Sequence, residues 1–398
     1  MGILMNRCLY IAVAMIIATA CSQLDLPEGS HDEHCSTVQM IIPEMGDFDG
    51  ADTKSDANLS STGVSFVWAE KDTVGIFPEA GSQIYFSMAD GVGESSAVFD
   101  GGGWALKKSA RYFSYFPFVG SFYIDKTAVP LTFEGQSQIG NGSMTQAAVG
   151  KYNYMVAEGD YNESTGNLAF SYQFLSSLFR FRIPVDAATY TRMTFSAASE
   201  CIVESGTFNA MALDCAINDP VYVDCLTLDL KDVELTDGAT FVGFMMIPPF
   251  NHLNEQITVS LTKSDGSILT SSVPGKNYRR GTPYDNAPNF SIYPASASLS
   301  GAGESTTLKI ITSMSTSYEV STDVDWLTLG SVPSSGSASV TVTASTNPGA
   351  PRKGHVIVSE TVNGVTLRNI MTVNQTINGM DVGVRDWENG DDEGGSVG

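Results

Sequence analysis

Acid–base chemistry in this chain would have to begin from four histidines among 398 residues. His31 and His34 lie in a polar, acidic stretch, and His252 and His355 lie in separate strand-rich regions. A serine or cysteine nucleophile needs a histidine base beside it. No G-x-S-x-G elbow or C-x-x-C pair is present to supply that nucleophile or a redox dithiol. His31-Asp32-Glu33-His34-Cys35 has metal-binding residue types, but nothing around it fixes their geometry, so it reads as polar tether. Gly91-Val92-Gly93-Glu94 lacks the third glycine and the following helix of a phosphate loop and reads as a hairpin turn. The acidic segment from Asp386 to Glu393 lacks the spacing of a calcium loop. The 44 acidic residues single out no carboxylate pair for glycoside cleavage. The expectation is a non-enzymatic chain with no catalytic residue, no metal site and no cofactor.

One cysteine does carry a chemical signal. Arg7 precedes an apolar run from Cys8 to Ala20, too short to span a membrane and about the length of a signal-peptide core. The run closes on Ile17-Ala18-Thr19-Ala20-Cys21, small residues leading directly into a cysteine. This resembles the bacterial lipobox, which implies removal of residues 1–20 and a diacylglyceride on the Cys21 sulfur. The expected location is the outer membrane, cell-surface exposed, with lipid as the only membrane attachment. Residues 21–36 then form a polar tether. Cys35, Cys201, Cys215 and Cys225 remain; export permits a disulfide, and which of them pair stays open.

The net charge of −23 opposes nucleic acid and anionic lipid surfaces, both of which select clustered Lys and Arg. It suits solubility at a crowded surface.

The elements are almost all strands. Val64, Phe66 and Trp68 alternate, Val74–Phe77 is a short apolar run, and Tyr112–Phe116 is apolar on both faces and should be buried on both. Glycine-rich turns punctuate these runs, and any helices should be short, for example around Gln173–Ser177. A second block beginning near Pro184 contains Leu226–Leu230, the run Phe241–Ile247 before Pro248-Pro249, and Ile257–Leu261 before an Asp265-Gly266 hairpin turn. Residues 281–289, with Pro283 and Pro288, read as a linker. From Phe290 the composition shifts to Ser, Thr and Val, with short alternating strands that indicate a small immunoglobulin-type sandwich. The expected fold class is all-β: β-sandwich domains over 37–184 and 185–288, a small sandwich over 289–377, and an acidic Gly-rich tail over 378–398.

Two resemblances sharpen this. Phe66-Val67-Trp68 through Val74-Gly75-Ile76-Phe77 resembles the opening of the fimbrillin family of Bacteroidetes. Trp104, Tyr112–Pro117, Tyr154–Ala157, Met246-Ile247-Pro248-Pro249 and Gly275–Tyr278 follow in that family's order, over roughly residues 37–285. Residues 290–377 resemble a BACON domain through Asp325-Trp326-Leu327, Ser334–Ala344, Asn347, Arg352-Lys353-Gly354 and Val373-Asn374-Gln375.

The fimbrillin resemblance implies a lipoprotein precursor of a surface fibre. In that family a protease cuts after a basic residue and releases the first strand, and a neighbour's strand fills the vacated groove. Here the removable strand would be Thr37–Ile42, and the cut would follow Lys54 in the loop Gly46–Asn58, where the family usually has arginine. Met380–Trp387 resembles the family's C-terminal strand, displaced beyond the BACON-like region, which suits a tip or accessory subunit. The implied partners are other fimbrillin-like subunits. The BACON resemblance implies either a spacer or a module for host or microbial glycans, with Trp326 as either a core residue or a sugar platform. The alternative function is a non-polymerising, glycan-binding surface lipoprotein that uses the BACON-like domain.

Overall fold

Closure of the N-terminal sheet follows from how its strands alternate. The computed structural model describes residues 35–46, 64–120, 124–143, 149–312 and 316–378, all within the unit Cys35–Gly398. Its first part uses β1 (Thr37–Ile41), β2 (Thr73–Pro78), β3 (Ile84–Asp90), β4 (Ser96–Asp100) and β5 (Tyr112–Phe116). The chain then leaves for a different sheet as β6 (Val129–Thr132) and β7 (Gln136–Ile139), and returns as β8 (Met155–Asn162), β9 (Asn167–Ser171) and β10 (Gln173–Phe174). The spatial order is β10-β8-β5-β2-β3-β4-β1-β9, and β9 also pairs with β8. The β8–β9 pairing therefore closes the sheet on itself as a ring.

Every residue of β5 is buried, as its two-faced apolar sequence predicts. Phe116 meets Trp68 inside the ring, while Tyr115 on the opposite face packs against Phe208 of a neighbouring sheet. Directly across from Tyr115, Gly75 leaves room for that ring: a Cβ there would sit 2.4 Å from Tyr115 Cε1. The segment around Gln173–Ser177, expected as a short helix, instead pairs with β8 as strand β10 and runs into the strand Ser177–Pro184. Pairing partners available across the sheet outweigh a weak local helical pattern.

Beyond the ring, Ser177–Pro184 pairs antiparallel with Thr240–Ile247 and parallel with Tyr284–Asn286. The residues read as a linker thus contain a buried strand. Asp285 is the reason it is held: its carboxylate has no exposed side-chain surface and pairs with Arg180 at 2.8 Å and with Arg182 at 2.5 Å. Burial of a charge is tolerable only with such pairing.

A nine-stranded sheet begins with β7 and continues through Cys225–Leu235, Ala188–Ser196, Gln256–Lys263 and Ile268–Pro274. It carries on without a break through Phe290–Tyr293, Ser305–Thr312, Ala338–Ala344 and Leu327–Leu329. Phe290–Tyr293 is the strand where the core changes. Phe290 and Ile292 enter a C-terminal core with Leu308, Val340, Val356 and Met371. The alternate residue Ser291 hydrogen-bonds the Pro184 carbonyl, and Tyr293 packs against the larger core. A four-stranded sheet, Ser296–Leu299, Val365–Gln375, Arg352–Val362 and Glu319–Thr322, covers the other face of the C-terminal core. The chain is all-β, with a small two-sheet sandwich at its C-terminal end.

Candidate strand-exchange site

The strand β1 is held on both edges by segments distant in sequence. Thr37–Ile41 pairs antiparallel with Asp100–Ser96 of β4, and Gln39–Ile41 pairs parallel with Ala169–Ser171 of β9. The ladder extends beyond the strand through Leu106 N to Cys35 O and Gly101 N to Ser36 O (both 3.0 Å), and Ile42 N to Ser95 O (2.9 Å). Alternation places Val38, Met40 and Ile42 in the core at 3%, 0% and 5% exposure. Each such side chain contributes roughly 1.5–3 kcal/mol by leaving water.

Met40 is the centre of the slot. Its carbonyl accepts a hydrogen bond from Trp68 Nε1 at 3.2 Å, and its sulfur lies 3.5 Å from the Tyr172 hydroxyl. Tyr172 in turn shares a 2.6 Å hydrogen bond with Ser114, and burial pushes its phenol pKa well up. Trp68 sits edge-on to Phe99, Phe116 and Tyr172, with centroids 4.9, 5.4 and 5.8 Å away. Loss of β1 would expose two strand edges and leave the Trp68 indole N–H without its acceptor. A buried unpaired polar group costs about 1–3 kcal/mol, so the slot would favour refilling.

The connection from β1 onward is tied at its base. Met45 N donates to Val64 O at 3.1 Å and Val64 N donates to Gly46 O at 2.8 Å, so the loop leaves and re-enters at one point. Lys54 belongs to that loop and lies outside the described residues, as do Cys21, His31, His34 and the segment Met380–Trp387. A break anywhere in residues 47–63 would disturb none of the pairings given above.

Trp326 lies in the C-terminal core at 9% exposure. The Arg352 guanidinium covers its ring at 4.4 Å, and Gly354 backs it so closely that a Cβ there would approach to 2.8 Å. Arg352 is itself fixed by hydrogen bonds to Gln375 Oε1 (2.8 Å) and the Ser345 carbonyl (2.9 Å). A sugar could stack on this indole only after Arg352 moved.

The cysteines Cys35, Cys201, Cys215 and Cys225 are all free thiols, each with a pKa pushed up by burial. Cys201 Sγ lies 3.7 Å from His252 Nδ1, a pairing the sequence did not reveal because the two residues meet only through sheet packing. Among the described residues no three His, Cys, Asp or Glu side chains converge as a metal site.

Residues 316–376 match the BACON family, described as "Putative binding domain, N-terminal". Similar solved structures include a "putative cell adhesion protein" from Bacteroides ovatus, at 14% identity and a TM-score of 0.40, covering 64% of this chain and 92% of that one. The fimbrial anchor protein Mfa2 from Porphyromonas gingivalis is 10% identical with a TM-score of 0.28, covering 58% of this chain and 79% of that one. The tip fimbrial protein Mfa3 from the same organism is 10% identical with a TM-score of 0.30, covering 60% and 80%. No curated protein matches the sequence at a significant level.

Proposed function

We propose that this chain is a non-enzymatic, surface-anchored adhesin or fimbrial subunit, of tip or accessory type, that joins its partners by strand exchange. The observation that carries the reading is the setting of β1. It is a short strand flanked by distant segments, filling an apolar slot and joined to the rest through a loop tied at Met45, Gly46 and Val64. A cut after Lys54 would turn β1 into a separate, exchangeable piece. The segment Met380–Trp387 has apolar residues at the same two-residue spacing: as a donor strand, its Met380, Val382 and Val384 would replace Val38, Met40 and Ile42. The lipid on Cys21 would hold the assembly to the outer membrane.

Limited proteolysis in the loop tests the exchange. Cut protein should lose heat stability once Thr37–Ile42 is removed, and should then either self-assemble or recover stability with a peptide spanning Met380–Trp387. Deleting residues 378–398 should abolish self-assembly if the donor is the Met380–Trp387 segment of another copy of this chain, and should leave partner binding intact if the donor is a different subunit's strand. Cut protein that stays monomeric, soluble and equally heat-stable would sink strand exchange. The anchor is tested separately: Cys21→Ala should release the protein from the detergent phase, and a variant that still partitions with lipid would refute it.

The second reading, a glycan-binding lipoprotein that never polymerises, draws on the BACON match over 316–376. It would require Trp326 or a neighbouring surface to present itself to a sugar despite the Arg352 cover.

A further inference from the structure

Asp186 sits in the short connection between the strands Ser177–Pro184 and Ala188–Ser196. Backbone ties fix that connection: Val185 N donates to Ala239 O at 2.9 Å, Gly238 N donates to Val185 O at 3.0 Å, and Ser291 Oγ donates to the Pro184 carbonyl. The Asp186 carboxylate is buried and faces Lys263, the last residue of Gln256–Lys263, which is buried too. Lys263 Nζ lies 2.7 Å from Asp186 Oδ2, and the Tyr293 ring covers it with its centroid 3.2 Å away. Tyr190, paired directly across from Lys263, donates its hydroxyl to Asp186 Oδ1 at 2.9 Å and to the Asp186 carbonyl at 3.0 Å.

An ion pair alone fits this enclosure poorly. A lysine ammonium carries three N–H donors, and among the described residues Asp186 is its one hydrogen-bond acceptor. Two charges taken out of water cost more than their attraction returns unless the remaining donors are paired. Transfer of one proton along the 2.7 Å hydrogen bond removes both charges and leaves an amine against a carboxylic acid, the two reactants of an amide condensation. We propose that Lys263 and Asp186 join as an intramolecular isopeptide bond, which this chain forms on itself.

The step balances as a condensation. The Nζ lone pair attacks Asp186 Cγ, and the carbonyl electrons move onto Oδ1, which the Tyr190 hydroxyl steadies. The nitrogen then passes a proton to the Oδ2 hydroxyl, the Cγ–Oδ2 bond breaks, and Oδ2 leaves as water while the carbonyl re-forms at Oδ1. Nothing is oxidised or reduced. Burial, with the Asp186 charge behind it, pushes the Tyr190 phenol up, so Tyr190 keeps its proton and stays a donor. Lys309 Nζ lies 3.9 Å from Oδ2, and its half-exposed side chain lines a surface cleft with Asp237 and Gly238, a route by which the water leaves. The fixed connection at Pro184 and Val185 holds the two groups together, so the reaction is in effect unimolecular. The product closes a covalent loop between residues 77 positions apart, in the sheet that continues into the C-terminal sandwich. It does not depend on strand exchange, which concerns the N-terminal ring.

Mass spectrometry of the full-length chain, purified folded and then denatured and digested with trypsin, tests the bond. The expected product is a branched peptide joining residues 183–192 to 232–276, lighter by one water than the two together, with no cleavage after Lys263. Lys263→Arg and Asp186→Ala should each release residues 183–192 unlinked, permit cleavage after position 263 and lower the melting temperature. Tyr190→Phe, which removes the donor to Oδ1, should slow the accumulation of the branched peptide in freshly folded protein. Folded parent protein that yields unlinked residues 183–192 and is cut after Lys263 would overturn the proposal and leave a salt bridge only. A branch from Lys263 to another carboxylate, or from Asp186 to Lys309, would overturn it as well.

Discussion

The carboxamide of Gln136 hydrogen-bonds both backbone groups of Met246, donating from Nε2 to the carbonyl and accepting from the N–H through Oε1, each at 2.8 Å. Gln138 repeats the pattern on Val242 O (2.9 Å) and Phe244 N (3.0 Å), and Asn141 on Thr240 O (3.1 Å) and Val242 N (2.7 Å). Three side-chain amides thus take the place of a strand along the edge of Thr240–Ile247. An unpaired edge there would be an open template for another chain.

Replacing Gln136 tests how much that substitution is worth. Gln136→Leu preserves bulk but strands the Met246 N–H and carbonyl in a fully buried site. With about 1–3 kcal/mol per orphaned group, the expected loss is about 2–5 kcal/mol by urea denaturation. A loss below about 0.5 kcal/mol would mean that water or a shifted strand pairs the edge instead.

Met40 should behave as the anchor of β1. Met40→Ala removes a side chain with no exposed surface and should cost about 2–5 kcal/mol. The effect should be local, read as faster amide exchange at Gln39–Ile41 and a red shift of Trp68 emission, taken as the difference from the Met40 parent in a shared Trp104→Phe, Trp387→Phe background, with Trp326 common to both. Destabilisation with unshifted Trp68 emission would separate the two residues that the 3.2 Å hydrogen bond joins.

In the C-terminal sandwich, Trp326→Ala should cost about 3–5 kcal/mol, because it empties a site packed from both sides. Arg352→Ala should cost less but uncover the ring. If that variant gains affinity for sugars that the parent ignores, the indole is a platform held shut by Arg352. Unchanged stability on Trp326→Ala would contradict its place in the core.

A pH effect follows from Glu360, which burial pushes above its ordinary value of 4.5 although Asn289 and Thr316 hydrogen-bond it. The folded protein therefore holds this proton more tightly than the unfolded chain. Stability from this group is present at low pH and is lost as pH rises from about 4.5 through the raised folded value. Glu360→Gln cannot titrate, so the wild-type-minus-variant difference in denaturation midpoint should fall across that window and level off at neutral pH. A difference that rises with pH would reverse the assigned sign.

Much of this protein could be read from local pattern. The alternation Val38, Met40, Ile42 and the two-faced run Tyr112–Phe116 determined which side chains would be buried, because a strand's period of two is written in consecutive residues. The Ser/Thr/Val strands after Phe290 likewise pointed to the small sandwich. Partner choice was not readable in the same way. Nothing local distinguishes Tyr284–Asn286, flanked by prolines, from an exposed linker; Arg180 and Arg182, about a hundred positions earlier, make it a buried strand. β6 and β7 look like their neighbours in sequence, yet they pair with strands at Ile202–Phe208 and Cys225–Leu235. The parallel contact of β1 with β9, the exposure of Trp104 and the cover of Arg352 over Trp326 belong to the same class. Side-chain period is a property of a segment by itself, whereas hydrogen-bond partners and solvent exposure depend on which distant segments arrive beside it, and only the assembled sheets decide that.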